Sequence, residues 1–482
     1  MNARTLFIAS CVALVTSAFT FVIRGDILPD LEKAFGLSGT DLGWIAGGAF
    51  WGMAAAMLVG APICDFIGAK MVMLAAFVCH MIGVIGVLVA GGESVFYILF
   101  LSTFAAGCAN GLVEIAINPL AATLYPTQKT HYLNILHAWW PGGLVIGGLL
   151  ASFMGRGVDF GFANFGGLGL DYKARMSLIF IPGIIYLLMS LPQKFPATER
   201  VASGVSTGTM FREVFRPMFL LWAFCMVLTA ASELGPQQWQ ESVMRSATDG
   251  KVSGTLVLVY TSAMMFVLRH FAGPIAHKFS PIGMLTISAV LAGVGLYLLS
   301  FANNAATAFG YATVYGLGIA YFWPTMLGVT AERFPKGGAF LLGLMGCVGN
   351  LAIALVLPVI GYLYDESAAA EVKKLPDYAS VVITNDQPSW PLKLVGISQT
   401  QQIDAAAVAQ LDEAGKKAIL EAQAKGAASP FRTVAILPAI LVVIFGAIAI
   451  RDKLAGGYKP EILISREEEN ELFAGGVQGP VE

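Results

Sequence analysis

Charge is what this chain has least of. Only 12% of its 482 residues are Asp, Glu, Lys or Arg, against about 25% in soluble domains, which excludes a water-soluble globule. The formal net charge is -2 and no stretch is strongly basic, so neither nucleic acid nor an anionic partner surface is implied. The six cysteines, Cys11, Cys64, Cys79, Cys108, Cys225 and Cys347, form no CxxC pair. They read as small helix-packing residues, not as a disulfide frame or metal site. The five histidines have no HExxH spacing, and no GxxxxGK[ST] phosphate loop occurs. Neither a metalloenzyme nor an ATP-driven pump is supported, and no nucleophile–base pair marks an enzyme.

What the chain has in abundance is apolar sequence: 56% of it is hydrophobic and the mean hydropathy is +0.71. The apolar residues fall in blocks of about 20, long enough to span a bilayer. The blocks number about twelve, near 5–28, 41–63, 70–90, 95–123, 134–154, 175–192, 217–240, 252–271, 281–301, 305–330, 338–363 and 430–450. The first lacks a small-x-small cleavage site and reads as a retained membrane helix, not a signal peptide. An even number of spans puts both termini on one face. Arg4, Lys70, Lys129, Lys194, Arg200, Arg212, Arg216, Arg269, Lys278, Arg333, Lys336, Arg451 and Lys453 all fall on that face, so the positive-inside rule makes it cytoplasmic. The expected fold is an all-α membrane protein of twelve transmembrane helices, a bilayer-embedded monomer.

A polar stretch, 193–216, separates six spans (1–192) from six (217–450) and reads as a flexible linker. The halves echo one another, as in transporters built from repeats. Asp26-Ile-Leu-Pro29 recurs as Glu233-Leu-Gly-Pro236, and Ala61-Pro-Ile-Cys-Asp65 as Gly273-Pro-Ile-Ala-His277. Asn118-Pro119 with Tyr125-Pro126 recurs as Trp323-Pro324 with Phe334-Pro335. An insertion at 365–429 breaks the symmetry on the face away from the termini; Asp404, helix formers and Gly426 predict one or two surface helices in it. The tail 451–482, with its acidic run Glu467 to Glu471, reads as disordered. The GxxxG pairs Gly43/Gly47, Gly48/Gly52 and Gly143/Gly147 read as close helix packing.

An acid inside a membrane costs about 2.5–3.5 kcal/mol on insertion scales and is usually kept for a task. Glu114 is well inside the fourth span, with Asn118 four residues on and therefore on the same face. Pro119 cannot donate to the carbonyl of Ile115, which leaves a free acceptor beside the acid. Carboxylate, amide and bare carbonyl together suit a polyol or a proton. A carboxyl group in hydrocarbon is favoured neutral and can exchange protons. Glu233 and Gln237 repeat the acid-plus-amide spacing. His137 and Trp140 at the start of the fifth span, Trp323, and Asn350 in the eleventh are further candidates for a ligand cavity. Asp26 stands at the end of the first span, with Arg24 either snorkelling outward or, if the helix breaks near Gly25, pairing with it.

The segment Gly60-Ala-Pro-Ile-Cys-Asp65-Phe-Ile-Gly68-Ala-Lys70 resembles the loop 2–3 signature of the major facilitator superfamily. Gly68 suits a tight turn, and Asp65 and Lys70 suit helix ends. More narrowly, Glu114-Ile-Ala-Ile-Asn118-Pro119 and Tyr132-Leu-Asn134-Ile-Leu-His137 resemble segments of the fucose:proton symporter family, which includes glucose/galactose transporters. Asp26-Ile-Leu-Pro29, Ala231-Ser-Glu233 and Pro324-Thr325 match further pieces; His137 and Trp140 depart from the glutamine and asparagine of that family. The resemblance implies the two-half major facilitator fold, a monosaccharide substrate, and a proton as coupling ion with no other cofactor. It implies proton coupling at Asp26 and Glu114, substrate contacts from Asn118, Asn134 and the candidates above, and a bacterial inner membrane. The rivals are a facilitator or drug/proton antiporter, and a non-transporting sensor that uses the insertion.

Overall fold

The computed structural model describes residues 2–37, 39–155, 157–159, 164–248, 254–386, 388, 390–394, 396–461 and 463. The first half contains Ala3–Phe35, Gly39–Ile67, Ala69–Val89, Val95–Leu124, Lys129–Met154, and Tyr172–Ser177 continued by Phe180–Ser190. The second contains Pro217–Ala247, Gly254–Arg269, Ala272–Leu299, Ala305–Ile319 continued by Phe322–Arg333, Gly338–Val372, and Ser429–Val434 continued by Ile436–Leu454. These are spans 1 to 12. Ten of the described stretches are long and apolar enough to cross a membrane; span 8, apolar over Leu256–Arg269, is shorter, and span 10 is broken at Ala320 and Tyr321.

Glycine sets how closely the spans approach. A Cβ on Gly107 would lie 2.0 Å from the Ala49 carbonyl oxygen, and one on Gly52 2.1 Å from that of Phe104, so spans 2 and 4 touch backbone to backbone. Gly143 and Gly147 pack on Ala18 and Phe19 of span 1, whereas Gly47 meets nothing within 4 Å; the burial of Gly43 lies outside the description. The repeat is written in the backbone as well. Aligning Asp65 with His277 sets Gly68 against Ser280. Gly68 has φ 82°, and Ser280, with φ 63°, is the one non-glycine at positive φ among the described residues.

The stretch 193–216 is not a flexible tether. It holds helices Glu199–Ala202 and Thr207–Arg212 and a 3-10 turn at Glu213–Phe215, and Glu199 and Arg200 are buried. It is a strap across the face where the described ends of the chain lie: the Asn2 backbone N–H donates to Gln193 Oε1 (3.2 Å). The tail runs to the same face, where the Tyr458 hydroxyl donates to Glu332 Oε2 (2.5 Å); its acidic run lies outside the described residues. On the opposite face span 11 continues into the insertion. There Val382–Asn385 pairs antiparallel with Thr400–Ile403, Val382 opposite Ile403. The main insertion helix is Glu413–Ala427, capped by Asp412 accepting from the Gly415 N–H (2.7 Å), after a short helix Ala405–Ala409.

Candidate functional site

Prolines inside membrane helices leave a carbonyl without its helical donor, and hydrocarbon supplies no water to replace it. Four such carbonyls lie around the centre of this molecule, and each meets a side chain. Pro119 frees the Ile115 carbonyl, which lies 3.6 Å from Cys64 Sγ. Pro236 frees that of Ser232, which accepts from the Tyr315 hydroxyl at 3.0 Å. Pro141 frees the carbonyl of His137, and Pro324 that of Ala320. Both accept from Arg269, at 2.7 Å from Nη1 and 2.6 Å from Nε. The expected free acceptor beside Glu114 is therefore already taken by a cysteine and is not open to a ligand.

Arg269 is the hub. Its Nη2 pairs with Glu233 Oε1 at 3.1 Å, both side chains almost fully buried. The Trp323 backbone N–H approaches the other oxygen of Glu233 at 3.4 Å. Read from sequence as a loop cation that sets topology, Arg269 is instead an internal residue, 2% exposed, that ties span 8 to span 5 of the other half. Span 5 begins at Lys129, earlier than the apolar block indicates, so His137 stands two turns inside it. In the first half Asn118 Nδ2 donates to Glu114 Oε2 at 2.7 Å. That orientation leaves the amide oxygen to accept from His137 Nε2 at 2.9 Å. The same imidazole nitrogen lies 3.7 Å from Glu114 Oε2. A carboxyl group, an amide and an imidazole thus form a chain in one half that meets the Arg269–Glu233 pair of the other through residue His137.

The chain borders a central cavity of about 110 Å³. Glu114, His137, Trp140, Glu233, Gln237, Trp323 and Asn350 line it as expected. Trp140 packs on Phe21, ring centroids 5.8 Å apart, which gives the cavity an aromatic wall. Three expected residues are elsewhere. Asn118 stands behind Glu114 as its positioning partner. Asn134 reaches Thr325 Oγ1 at 3.2 Å, between spans 5 and 10. Asp26 faces Arg175, 2.6 Å away, and the same guanidinium holds Asp30. Its pairing with an arginine five spans away was not visible locally, since helix 1 runs unbroken past Gly25. Four polar lining residues were missed as ligands, Arg24, Asn110, Gln238 and Arg269. Asn110 is one turn before Glu114, a spacing that does place it on the same face. It bonds Thr20 and His80, at 3.2 and 3.0 Å, and His80 reaches the Tyr186 hydroxyl at 3.3 Å.

Below the cavity the halves are joined on the face of the termini. Lys129, 1% exposed, pairs with Glu199 of the strap at 2.5 Å and donates to the Ala331 carbonyl at 3.2 Å. Glu332 accepts from the Thr130 backbone N–H, the start of span 5, at 3.0 Å. Burial and the Glu332 carboxylate push the Tyr458 hydroxyl well above the ordinary phenol range, so it stays a donor. In the loop 2–3 segment, Asp65 accepts from Thr198 Oγ1 at 2.7 Å and Arg200 Nε at 2.6 Å. A Cβ on Gly338 would be 2.9 Å from Asp65 Oδ2, so this carboxylate also sits at the N-terminus of span 11, where the helix dipole favours it. Lys70 caps the end of span 6 through the carbonyls of Leu191 (2.7 Å) and Gln193 (3.0 Å). Gly60 packs on span 4, an added Cβ meeting Ile115 Cδ1 at 2.9 Å.

The sequence pattern of the Major Facilitator Superfamily matches residues 5–357. No curated protein matches the chain significantly. Among solved structures it is similar to the E. coli proton:xylose symporter XylE bound to 6-bromo-6-deoxy-D-glucose, with TM-score 0.68 and 12% identity over 92% of this chain and 95% of that one. It is also similar to the E. coli fucose:proton symporter FucP, with TM-score 0.61 and 15% identity over 92% and 99%. A bacterial homologue of the human lysosomal transporter Spinster gives TM-score 0.62 and 16% identity over 95% and 99%. Identities this low carry the fold alone, whereas the family pattern covers most of the chain: it belongs to the major facilitator superfamily and is a multi-pass membrane transporter of that type.

Proposed function

We propose that this transporter carries a solute of monosaccharide size together with a proton, by alternating access of the two halves, with Glu114 as the group that carries the proton. The observation that bears the reading is the Glu114–Asn118–His137 chain, buried at the cavity between the halves. Asn118 supports one oxygen of Glu114, and the residue lines the cavity, where a carboxyl can donate to a hydroxyl when protonated and accept from one when ionised. Amides at Asn110, Gln237 and Asn350 and the indole of Trp140 suit a polyol ring. Two structural neighbours are named as sugar:proton symporters, in line with this. Asp26, held by Arg175, leaves the reading. Coupling follows if proton and solute favour the same state, since a ligand without a preference shifts no equilibrium. We place the protein as a monomer in a bacterial plasma membrane with both termini cytoplasmic and no cofactor other than the proton.

The test is external pH. Hexoses, 6-deoxyhexoses and hexose-derived acids are added one at a time to lightly buffered, de-energised cells expressing the protein. Alkalinisation with a particular solute, absent in Glu114→Gln of equal surface expression, is the expected result. No pH change with any of them would sink the proposal.

A further inference from the structure

Arg24 is the cavity cation that neither the proton chain nor Glu233 engages. It lines the cavity, is 7% exposed, and has no ion pair or hydrogen bond among the described residues; its guanidinium lies over the Phe21 ring, 5.4 Å from the centroid. The cavity's other cation, Arg269, is matched by Glu233. A buried guanidinium without a counter-charge is costly, and its five donors form a fork that fits a carboxylate.

Depth separates it from Glu114. The Thr20–Asn110 bond, 3.2 Å, sets those two residues at one level. Spans 1 and 4 run in opposite directions, so Arg24 is one turn beyond that level toward the insertion and Glu114 one turn beyond it toward the strap. At about 1.5 Å per residue the two are about 12 Å apart in depth, roughly the length of a hexose with a side chain reaching in from each end. Between them lie Asn110, Phe21 and Trp140. With Glu114 ionised the pair is balanced across the cavity; with Glu114 protonated, one positive charge is left uncompensated.

We infer that the solute is a monoanion, a hexose-derived carboxylate, whose carboxylate pairs with Arg24 while its hydroxyls face Asn110 and the Glu114 chain. This rests on the proton-symport reading and adds to it: each proton taken by Glu114 opens a place for one anion at Arg24, so charge balance itself makes the two favour one another.

The experiment uses the purified protein in liposomes and two isosteric solutes, D-glucuronate and its uncharged amide, D-glucuronamide, with D-glucose alongside. The acid should compete at least about tenfold better than the amide for the site, the worth of one charge-assisted contact. Arg24→Gln should abolish that difference, and Arg24→Lys should keep part of it, since the charge survives without the fork. Equal or better transport of glucose or the amide, with a proton still taken up, would overturn this inference and leave proton symport standing. Uptake of none of the three would overturn both. The comparison on the unaltered protein stands even if the variants fail to fold.

Discussion

A single side chain, Arg269, satisfies three buried acceptors, and two are carbonyls freed by Pro141 and Pro324. Its loss strands Glu233 and both carbonyls together. Breaking one partner of a buried ion pair costs about 3–5 kcal/mol, so Arg269→Gln should lower the detergent melting temperature of the purified protein sharply, and a melt within a degree or two of the parent would show the hub to be dispensable. Glu233→Gln should also destabilise, because the amide oxygen still accepts from Arg269 but leaves the guanidinium buried without a counter-charge. Much at this scale was readable from spacing alone. Asn118 and Glu114 share a face because they are four apart, and a proline names the carbonyl it frees. Which donor fills that carbonyl is a tertiary fact: Arg269 looks like a loop cation because the apolar run of span 8 ends with it, and nothing near Asp26 in sequence announces Arg175.

For whole helices the decisive residues are the small ones. Gly107→Ala would put a methyl group 2.0 Å from the Ala49 carbonyl oxygen and force spans 2 and 4 apart, an overpacking cost of about 1–3 kcal/mol. Gly310→Ala, in span 10 with nothing within 4 Å, should be neutral or gain up to about 1 kcal/mol from helix propensity. Paired thermal melts test both, and equal losses would mean that close approach is not what these helices depend on. Ser280 predicts the opposite sign. Its backbone, φ 63° and ψ 159°, is one that glycine adopts freely and serine does not, at about 1–3 kcal/mol. Its hydroxyl caps the Gly283 N–H at 3.2 Å, but glycine as a cap costs only a few tenths. Ser280→Gly should therefore raise the melting temperature, and a fall would refute the strain. Apolar blocks made the spans legible to within several residues, because hydrocarbon leaves the backbone no other choice. They could not show that 193–216 is a folded strap, since its polar composition is the same whether it waves in solvent or pairs with Asp65 and Lys129.

Across the whole molecule, the strap, the tail and Asp65 fasten the two halves on the face of the termini, below the cavity. Glu199→Gln leaves Lys129 buried without a counter-charge in this arrangement only, a bias of several kcal/mol toward the state in which those contacts part. Labelling of a cysteine placed at Ala331 should become much faster in that variant, and unchanged labelling would mean that the strap does not hold the gate. The insertion is expected to be separable. A Cβ on Gly426 would touch the Ser367 carbonyl oxygen at 2.6 Å, so the two ends of the segment stand together and a short turn can replace what lies between them. Transport by such a deletion should stay within about twofold, and its loss would give the segment a part in the cycle. Parting the halves also separates Arg269 from the carbonyl of His137, and Pro141 supplies no helical substitute. Both groups must then take water. The two access states therefore differ in hydration as well as in shape, and osmotic stress, by lowering the activity of water, should favour the closed arrangement described here.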